Sequence, residues 1–176
     1  MKFKPLFKSE TEQPIKLCGL PNILESDIPL CKECGSKMSF IYNISTNKAS
    51  LLVFQCTSNP GMCDDWDANS GANKVLYWDK TVTIDKAKGF IEIQNSEFDD
   101  DKYEDMSINN KNCIGKFGGS PLWLQNDETP ICNCGKSMTF VSQIEERGHR
   151  EFNFGMGCSY LFSCDECKVS KFLWQC

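Results

Sequence analysis

Two stretches of sequence decide the fold: residues 31–44, CKECGSKMSFIYNI, and residues 132–144, CNCGKSMTFVSQI. Each stretch opens with two closely spaced cysteines, places a glycine directly after the second one, and continues into an apolar run. A tight turn of this kind presents two sulfur atoms on the same side, as a tetrahedral metal site requires. Glycine suits the left-handed backbone conformation that ends such a turn. The pattern therefore predicts two cysteine knuckles, each leading into a strand.

The two stretches belong to a longer internal repeat. When the chain is shifted by one hundred residues, residues 16–44 align with residues 116–144 without a gap and share ten identities in 29 positions. Composition alone would produce roughly two. The repeat predicts an internal duplication, with two related units in a pseudo-twofold arrangement.

The runs that follow the knuckles are short and rich in β-branched and aromatic residues, as strands are. No segment has a sustained apolar period of a helix, so we expect a mostly β fold (α+β at most) built from two zinc-ribbon-like units. We assign residues 1–96 to unit one, residues 97–111 to an acidic linker, and residues 112–176 to unit two. The predicted strands are 38–44, 51–56 and 74–84 in unit one, and 138–144, 158–164 and 168–174 in unit two.

The cysteines are the candidate metal ligands. The chain has 12 cysteines in 176 residues, and eight of them fall into two sets of two close pairs. Their spacing predicts two structural zinc ions, each held by four thiolates. The sets are Cys31, Cys34, Cys56 and Cys63 in unit one, and Cys132, Cys134, Cys164 and Cys167 in unit two.

Three other interpretations of these cysteines stay open. They could form disulfides in an oxidising compartment, they could be buried and inert, or Cys31 and Cys34 could form a redox dithiol. Cys158 is a spare candidate ligand for the second set. Cys18, Cys113 and Cys176 have no counterpart in the repeat.

Composition excludes several functional classes. The net charge of −5 argues against a dedicated nucleic-acid-binding protein, which usually has a basic face. The chain has a single histidine, His149, which argues against metal sites built on imidazole and against general-base chemistry that needs histidine pairs. No long apolar segment and no secretory signal are present, which predicts a cytoplasmic protein without membrane contact. No catalytic constellation is recognisable, so we expect a protein that is not an enzyme.

Residues 97–105, EFDDDKYED, contain six acids and one lysine. Such a run is usually a solvated loop or linker. The functional alternative is an acidic surface that attracts a basic protein partner. Among the aromatic residues, Trp123 lies beside a Gly-Pro turn and is the candidate for a contact residue.

Several of these motifs together resemble a known family. The segments FGGSPLWLQ (117–125), CNCGKSMTFVSQ (132–143), YLFSC (160–164) and KFLWQC (171–176) resemble the bacterial YwqG-like family, which has no established function, and the eukaryotic programmed cell death protein 2 family. The resemblance implies duplicated, β-rich intracellular proteins and, from the eukaryotic relatives, zinc-dependent carriers of a newly made ribosomal protein. Unit one departs from the pattern, with Cys18 where unit two has Gly118 and Ile23 where unit two has Trp123.

Taken together, these features predict a non-catalytic, zinc-stabilised protein-binding module that acts as a chaperone or adaptor, or as an immunity-like antidote. Its partner would be a protein, with a basic one favoured by the acidic run, held in the cleft between the units or along a strand edge. The alternative is a thiol redox protein or sensor that uses the Cys31–Cys34 pair.

Overall fold

The computed structural model describes residues 1–147 and 152–176, so His149 lies outside the described residues. Strands dominate these residues, together with one short α-helix and two 3-10 turns, Glu25–Asp27 and Asp100–Lys102. The elements are β1 (Lys2–Ser9), β2 (Ile15–Leu17), β3 (Leu20–Pro21), β4 (Ser39–Ser45), β5 (Ser50–Gln55), β6 (Asn73–Trp78), β7 (Ile84–Asp85), β8 (Gly89–Ile93), β9 (Phe98–Asp99), α1 (Tyr103–Asn109), β10 (Cys113–Gly118), β11 (Thr139–Glu145), β12 (Cys158–Cys164) and β13 (Val169–Gln175). The predicted mostly β class is confirmed.

The main sheet closes on itself. Its strand order is β10-β11-β12-β13-β6-β5-β4-β2-β8-β1-β9, and an additional antiparallel pairing of β1 with β10 completes a ring of ten strands. β9 extends the sheet by pairing with the start of β1, beside the segment that pairs with β8. The short strands β3 and β7 form a separate two-stranded sheet.

The two units have matching hydrogen-bonding patterns. Leu17 of β2 lies opposite Tyr42 of β4, and Phe117 of β10 lies opposite Ser142 of β11. The hairpins β4–β5 and β11–β12 each shift register at the corresponding place, directly after Phe40 and directly after Phe140. The fold therefore contains two similar units; that they arose by duplication stays a prediction.

Unit one and unit two meet at two places: the pairing of β1 with β10, and a narrow seam between β6 and β13. The antiparallel strands β6 and β13 share one register pair, Val75 opposite Ser170. From this seam the strand order runs β6-β5-β4-β2 on one side and β13-β12-β11-β10 on the other. This order is the one that a pseudo-twofold axis through the seam would produce.

The central strands are buried on both faces. In β5, Leu51 and Val53 pack inside the closed sheet, while Leu52 and Phe54 pack against the cysteine knuckle of unit one. Side chains alternate between the faces of a strand, so a strand covered on both sides is apolar at every position. This accounts for the continuous apolar run at residues 51–54, and it places each knuckle against the outside of the ring.

The predicted acidic linker contains ordered elements. It includes β9 and α1, and Tyr103 and Ser107 of this helix are buried. The hydroxyls of both residues donate to Oε1 of Glu145, at 2.7 and 2.9 Å. The helix is therefore attached to unit two, although most of its acids face solvent; the proposed unit boundaries themselves stay predictions. Among the described residues, no helix is both long and apolar enough to cross a membrane.

Candidate metal centres

Site one, defined as Cys31, Cys34, Cys56 and Cys63, forms where the first knuckle meets the end of β5. Two backbone hydrogen bonds close the knuckle: the Cys31 N–H donates to the Ser36 carbonyl at 2.8 Å, and the Gly35 N–H donates to the Cys31 carbonyl at 2.9 Å. Gly35 has a φ of 73°, a conformation that glycine adopts without steric cost. Cys56 directly follows β5, and Cys63 comes from the loop after it.

Site two, defined as Cys132, Cys134, Cys164 and Cys167, repeats this construction with a knuckle one residue shorter. The Cys132 N–H donates to the Lys136 carbonyl at 2.8 Å, and the Gly135 N–H donates to the Cys132 carbonyl at 2.8 Å. The last residue of β12 is Cys164, and Cys167 lies in the tight turn that leads to β13. Both knuckles end in a bond from a methionine N–H (Met38 or Met138) to a proline carbonyl, at 2.9 Å in each case.

The sulfur atoms of each site converge. All four ligand atoms lie within 4.8 Å of one another in each group. The Sγ atoms of Cys34 and Cys56 are 3.5 Å apart, and those of Cys134 and Cys164 are 3.9 Å apart. A tetrahedral ion with metal–sulfur bonds of about 2.3 Å has sulfur–sulfur edges of about 3.8 Å. A disulfide would need about 2.05 Å, and none of the eight cysteines forms one. The structure thus brings together all eight sequence-predicted ligands in arrangements that could hold two metal ions.

The two sites differ in their exposure to solvent. In site one, Cys31, Cys56 and Cys63 are buried and Cys34 is half-buried. In site two, Cys134 and Cys167 are exposed. The first site is therefore largely enclosed by protein, whereas two sulfur atoms of the second are accessible to reagents.

The electrostatics of each cluster favour one thiolate over its neighbours. Hydrogen bonds from the hydroxyl and backbone of Ser36 lower the pKa of Cys34 to about 6. Desolvation raises the pKa of Cys63 well above the ordinary thiol value, and hydrogen bonds to the other sulfurs raise it further. In site two, the backbone N–H of Cys134 lowers the pKa of Cys132 to about 7, while sharing hydrogen bonds with Cys132 raises the pKa of Cys167 to about 12.

These shifts show what a metal ion would contribute. Without a cation, four sulfurs at these distances repel one another once more than one of them ionises. A coordinated divalent cation holds all of its thiol ligands deprotonated. Soft thiolates in a tetrahedral set select zinc or iron–sulfur chemistry over hard cations. The donor set therefore fits a metal site with a complete protein coordination sphere.

Two other sequence-predicted residues lie elsewhere. Cys158 is buried outside the site-two group, and its thiol donates to the Tyr160 hydroxyl at 3.0 Å. Trp123, expected to be a contact residue, is half-buried and packs against Tyr160 and Phe162 with centroid distances of 4.4 and 5.9 Å. Its neighbours Leu122 and Leu124 are the exposed residues of this turn.

The sequence predicted a cleft between the units but not the residues that line it. In the structure, a cleft lies between the two knuckles. It comprises adjoining cavities of about 590 and 430 Å³ at the seam, which share Ala68, Asn69 and Lys171. Four exposed apolar side chains line this interknuckle cleft, namely Leu30, Trp66, Ile131 and Val169. Leu30 and Ile131 occupy matching positions, each directly before the first cysteine of its knuckle. An apolar residue directly before each knuckle is therefore the sequence feature that could have indicated this cleft.

Comparison with known proteins adds little about function. No known family model matches the chain. A stretch of 63 residues, 35% of the chain, is 29% identical to the uncharacterised protein YpfL of Salmonella typhimurium. The match spans 15% of the length of that protein.

Proposed function

We propose that the protein is a cytoplasmic, zinc-stabilised protein-binding module without catalytic activity. The observation that carries this proposal is the presence of two convergent four-cysteine groups on one closed sheet. A sphere of four protein ligands leaves no open position for water or substrate, which favours a structural role for each ion. Two zinc ions would stabilise the knuckles and leave the surfaces around them to bind a partner.

The surface chemistry supports a protein partner. Exposed apolar side chains converge in the interknuckle cleft, and such clusters on soluble proteins usually mark interaction sites. The run of acids at residues 97–105 favours a basic client through electrostatic steering. A chaperone, an adaptor or an immunity-like antidote would each use such a surface. The proposal includes membership of the YwqG-like family, which is supported by the motifs in residues 117–176.

Native mass spectrometry tests the metal part of the proposal. We expect protein purified gently from its own host to have the mass of the chain plus two zinc ions. Cys31→Ser and Cys132→Ser should each remove one ion, whereas Cys176→Ser, which changes an exposed cysteine outside both groups, should remove none. A chain without metal whose mass is lowered by lost hydrogens would indicate disulfides and overturn the proposal.

A thiol redox protein remains the second candidate because of one observation. The Cys34 thiol is half-buried, and hydrogen bonds from Ser36 lower its pKa to about 6, as in reactive cysteines. Its closeness to Cys56 and Cys63 fits a metal ligand equally well. The two functions differ in whether Cys34 reacts when zinc is bound.

A further inference from the structure

A second apolar surface lies on unit two, beside α1. A cavity of about 370 Å³ is lined there by four large aliphatic side chains that are exposed to solvent: Ile108, Leu122, Leu124 and Met156. Isolated exposed apolar residues are ordinary, but a group that converges on one cavity marks a binding surface. We call this cavity, with the adjoining acidic one described below, the α1 groove.

The two leucines are fixed in their outward position. The Leu122 N–H donates to Oε1 of the buried Gln143 at 2.9 Å, and the Leu124 N–H donates to the Tyr160 hydroxyl at 3.1 Å. The same hydroxyl donates to the Leu122 carbonyl at 2.9 Å. Between them, Trp123 is packed against Tyr160. A surface held by buried side chains loses little conformational freedom when a partner binds.

The groove continues into an acidic end. A neighbouring cavity of about 270 Å³ shares Glu104 and Leu122 with the first and is also lined by Asp100 and Asp101. Glu104 is exposed and forms no ion pair within the part of the chain that the structure describes.

The cations that line the groove are already paired. The Lys116 Nζ lies 3.4 Å from Oδ1 of Asp100, and an Arg147 guanidinium nitrogen lies 2.6 Å from Oε2 of Glu145. Lys102 lies 3.5 Å from Asp101, but both side chains are exposed, so this pair is weak. The N-terminal ammonium also lies 3.6 Å from Oδ2 of Asp100. Among the described residues, Glu104 is therefore the acid of this end that is left to pair with a basic side chain of a partner.

In unit one, a short strand pairs with the corresponding turn. There the turn at β3 pairs with β7, the Asn22 N–H donates to the Thr83 carbonyl at 3.0 Å, and Ile84 is buried. In unit two, side chains replace this strand: Oδ1 of Asp100 accepts from the Ser120 N–H at 3.2 Å, and Gln143 accepts from Leu122. No strand of the described residues pairs with this turn. An extended segment therefore lies against this turn in unit one, and no such segment of the described residues lies against it in unit two.

We propose that the α1 groove binds an extended segment of the client protein. A basic side chain of that segment lies against Glu104, and its apolar side chains lie against Ile108, Leu122 and Leu124. This inference rests on the proposed protein-binding function and assigns the client a site and a chemistry: a lysine or arginine followed by apolar residues.

Fluorescence anisotropy with the zinc-loaded full chain tests this assignment. The probe is a short labelled peptide with two arginines followed by alternating leucines, and the control peptide has glutamates in place of the arginines. We expect the arginine peptide to bind more tightly, with an affinity that falls as salt rises. Leu124→Asp should weaken binding by about tenfold or more, and Glu104→Lys should weaken it and reduce its salt dependence.

Two matched variants control for fold and charge. Leu24 occupies the position of Leu124 in unit one and is 70% exposed, compared with 53% for Leu124. Glu10 is an exposed acid outside the groove. Leu24→Asp and Glu10→Lys should therefore leave binding unchanged.

The possible results test the proposed binding site separately from the proposed protein-binding function. Binding that Leu124→Asp leaves intact but Ile131→Asp abolishes would overturn the α1 groove and keep the protein-binding function, with the interknuckle cleft as its site. Self-association that Leu124→Asp abolishes would make the groove an interface between two copies and would also overturn the proposal. If neither peptide binds, or both bind equally, the proposed client chemistry is wrong, while metal content and capture of an intact client still test the function.

Discussion

At the scale of single residues, local spacing predicts which cysteines converge into the two four-cysteine groups. A CxxC or CxC pair followed by glycine closes on its own backbone, as the bond from Cys31 to Ser36 shows, so neighbouring residues alone position two sulfurs. The packing of Trp123 could not be predicted in this way. It depends on Tyr160 and Phe162, which lie far along the chain and meet the indole only after β12 has formed.

Alkylation of Cys34 distinguishes the two candidate functions. In zinc-free protein, we expect iodoacetamide to label Cys34 early, because its pKa is lowered to about 6. The thiolate predominates above this pH and is lost below it, so the rate should fall as the pH drops through about 6. For a thiol with an ordinary pKa, the alkylation rate would already fall as the pH drops below about 9. Peptide mapping by mass spectrometry measures the rate at each cysteine.

Zinc should suppress this labelling, with exposed Cys176 as the internal reference whose labelling zinc leaves unchanged. If Cys34 reacts as fast in protein that holds two zinc ions as in zinc-free protein, it is not a ligand. The redox function would then be favoured.

At the scale of secondary-structure elements, the hairpins are predictable and the closure of the sheet is not. The runs at β4, β5, β11 and β12 are rich in apolar side chains, because both of their faces are covered. β1 carries three lysines among its eight residues, and its pairing with β10 joins residues more than one hundred positions apart. No local pattern specifies such a partner. The short helix α1 could not be predicted from the sequence. Only Tyr103 and Ser107 of this helix are buried, so the acidic segment has no apolar period that indicates a helix.

The turn between β10 and Trp123 depends on a close backbone approach at Gly119. Its φ is +78°, and a Cβ atom there would lie 2.2 Å from Oδ1 of Asp100, an atom held by Lys116 and Ser120. Gly135 has a similar φ of +83° but no atom within 4 Å of such a Cβ. We expect Gly135→Ala to lower the free energy of unfolding by about 1 kcal/mol, the cost of the left-handed conformation.

Gly119→Ala should cost at least about twice as much, because it adds a steric clash to the same backbone penalty. For a chain of this size, 1 kcal/mol corresponds to a change in Tm of about 2–4 °C. Thermal unfolding of the zinc-loaded variants measures both effects. Equal losses in the two variants would contradict the role assigned to Asp100 at this turn.

At the scale of the whole molecule, the two candidate metal sites are alike in construction but differ in how exposed their sulfur atoms are to solvent. Site two presents the sulfurs of Cys134 and Cys167 to solvent, whereas three sulfurs of site one are buried. A chelator attacks exposed ligands first, so zinc should leave in two phases of about one ion per chain each. A colorimetric zinc indicator follows the release.

Ligand variants assign the phases. Cys134→Ser should abolish the fast phase and keep the slow one, and Cys34→Ser should do the reverse. A single phase in the unmodified protein, or a slow phase that belongs to site two, would show that exposure does not control release.

The position of β1 also has a consequence for biosynthesis. This strand lies between β8 on one side and β10 on the other, so its second edge has no partner until residues 113–118 have left the ribosome. All four cysteines of site one precede that point, and their knuckle can fill with metal while the ring is still open. During this interval the nascent chain exposes an unpaired strand edge, a template for mispairing with neighbouring chains. Translation speed between β8 and β10 therefore sets how long each new molecule stays prone to aggregation.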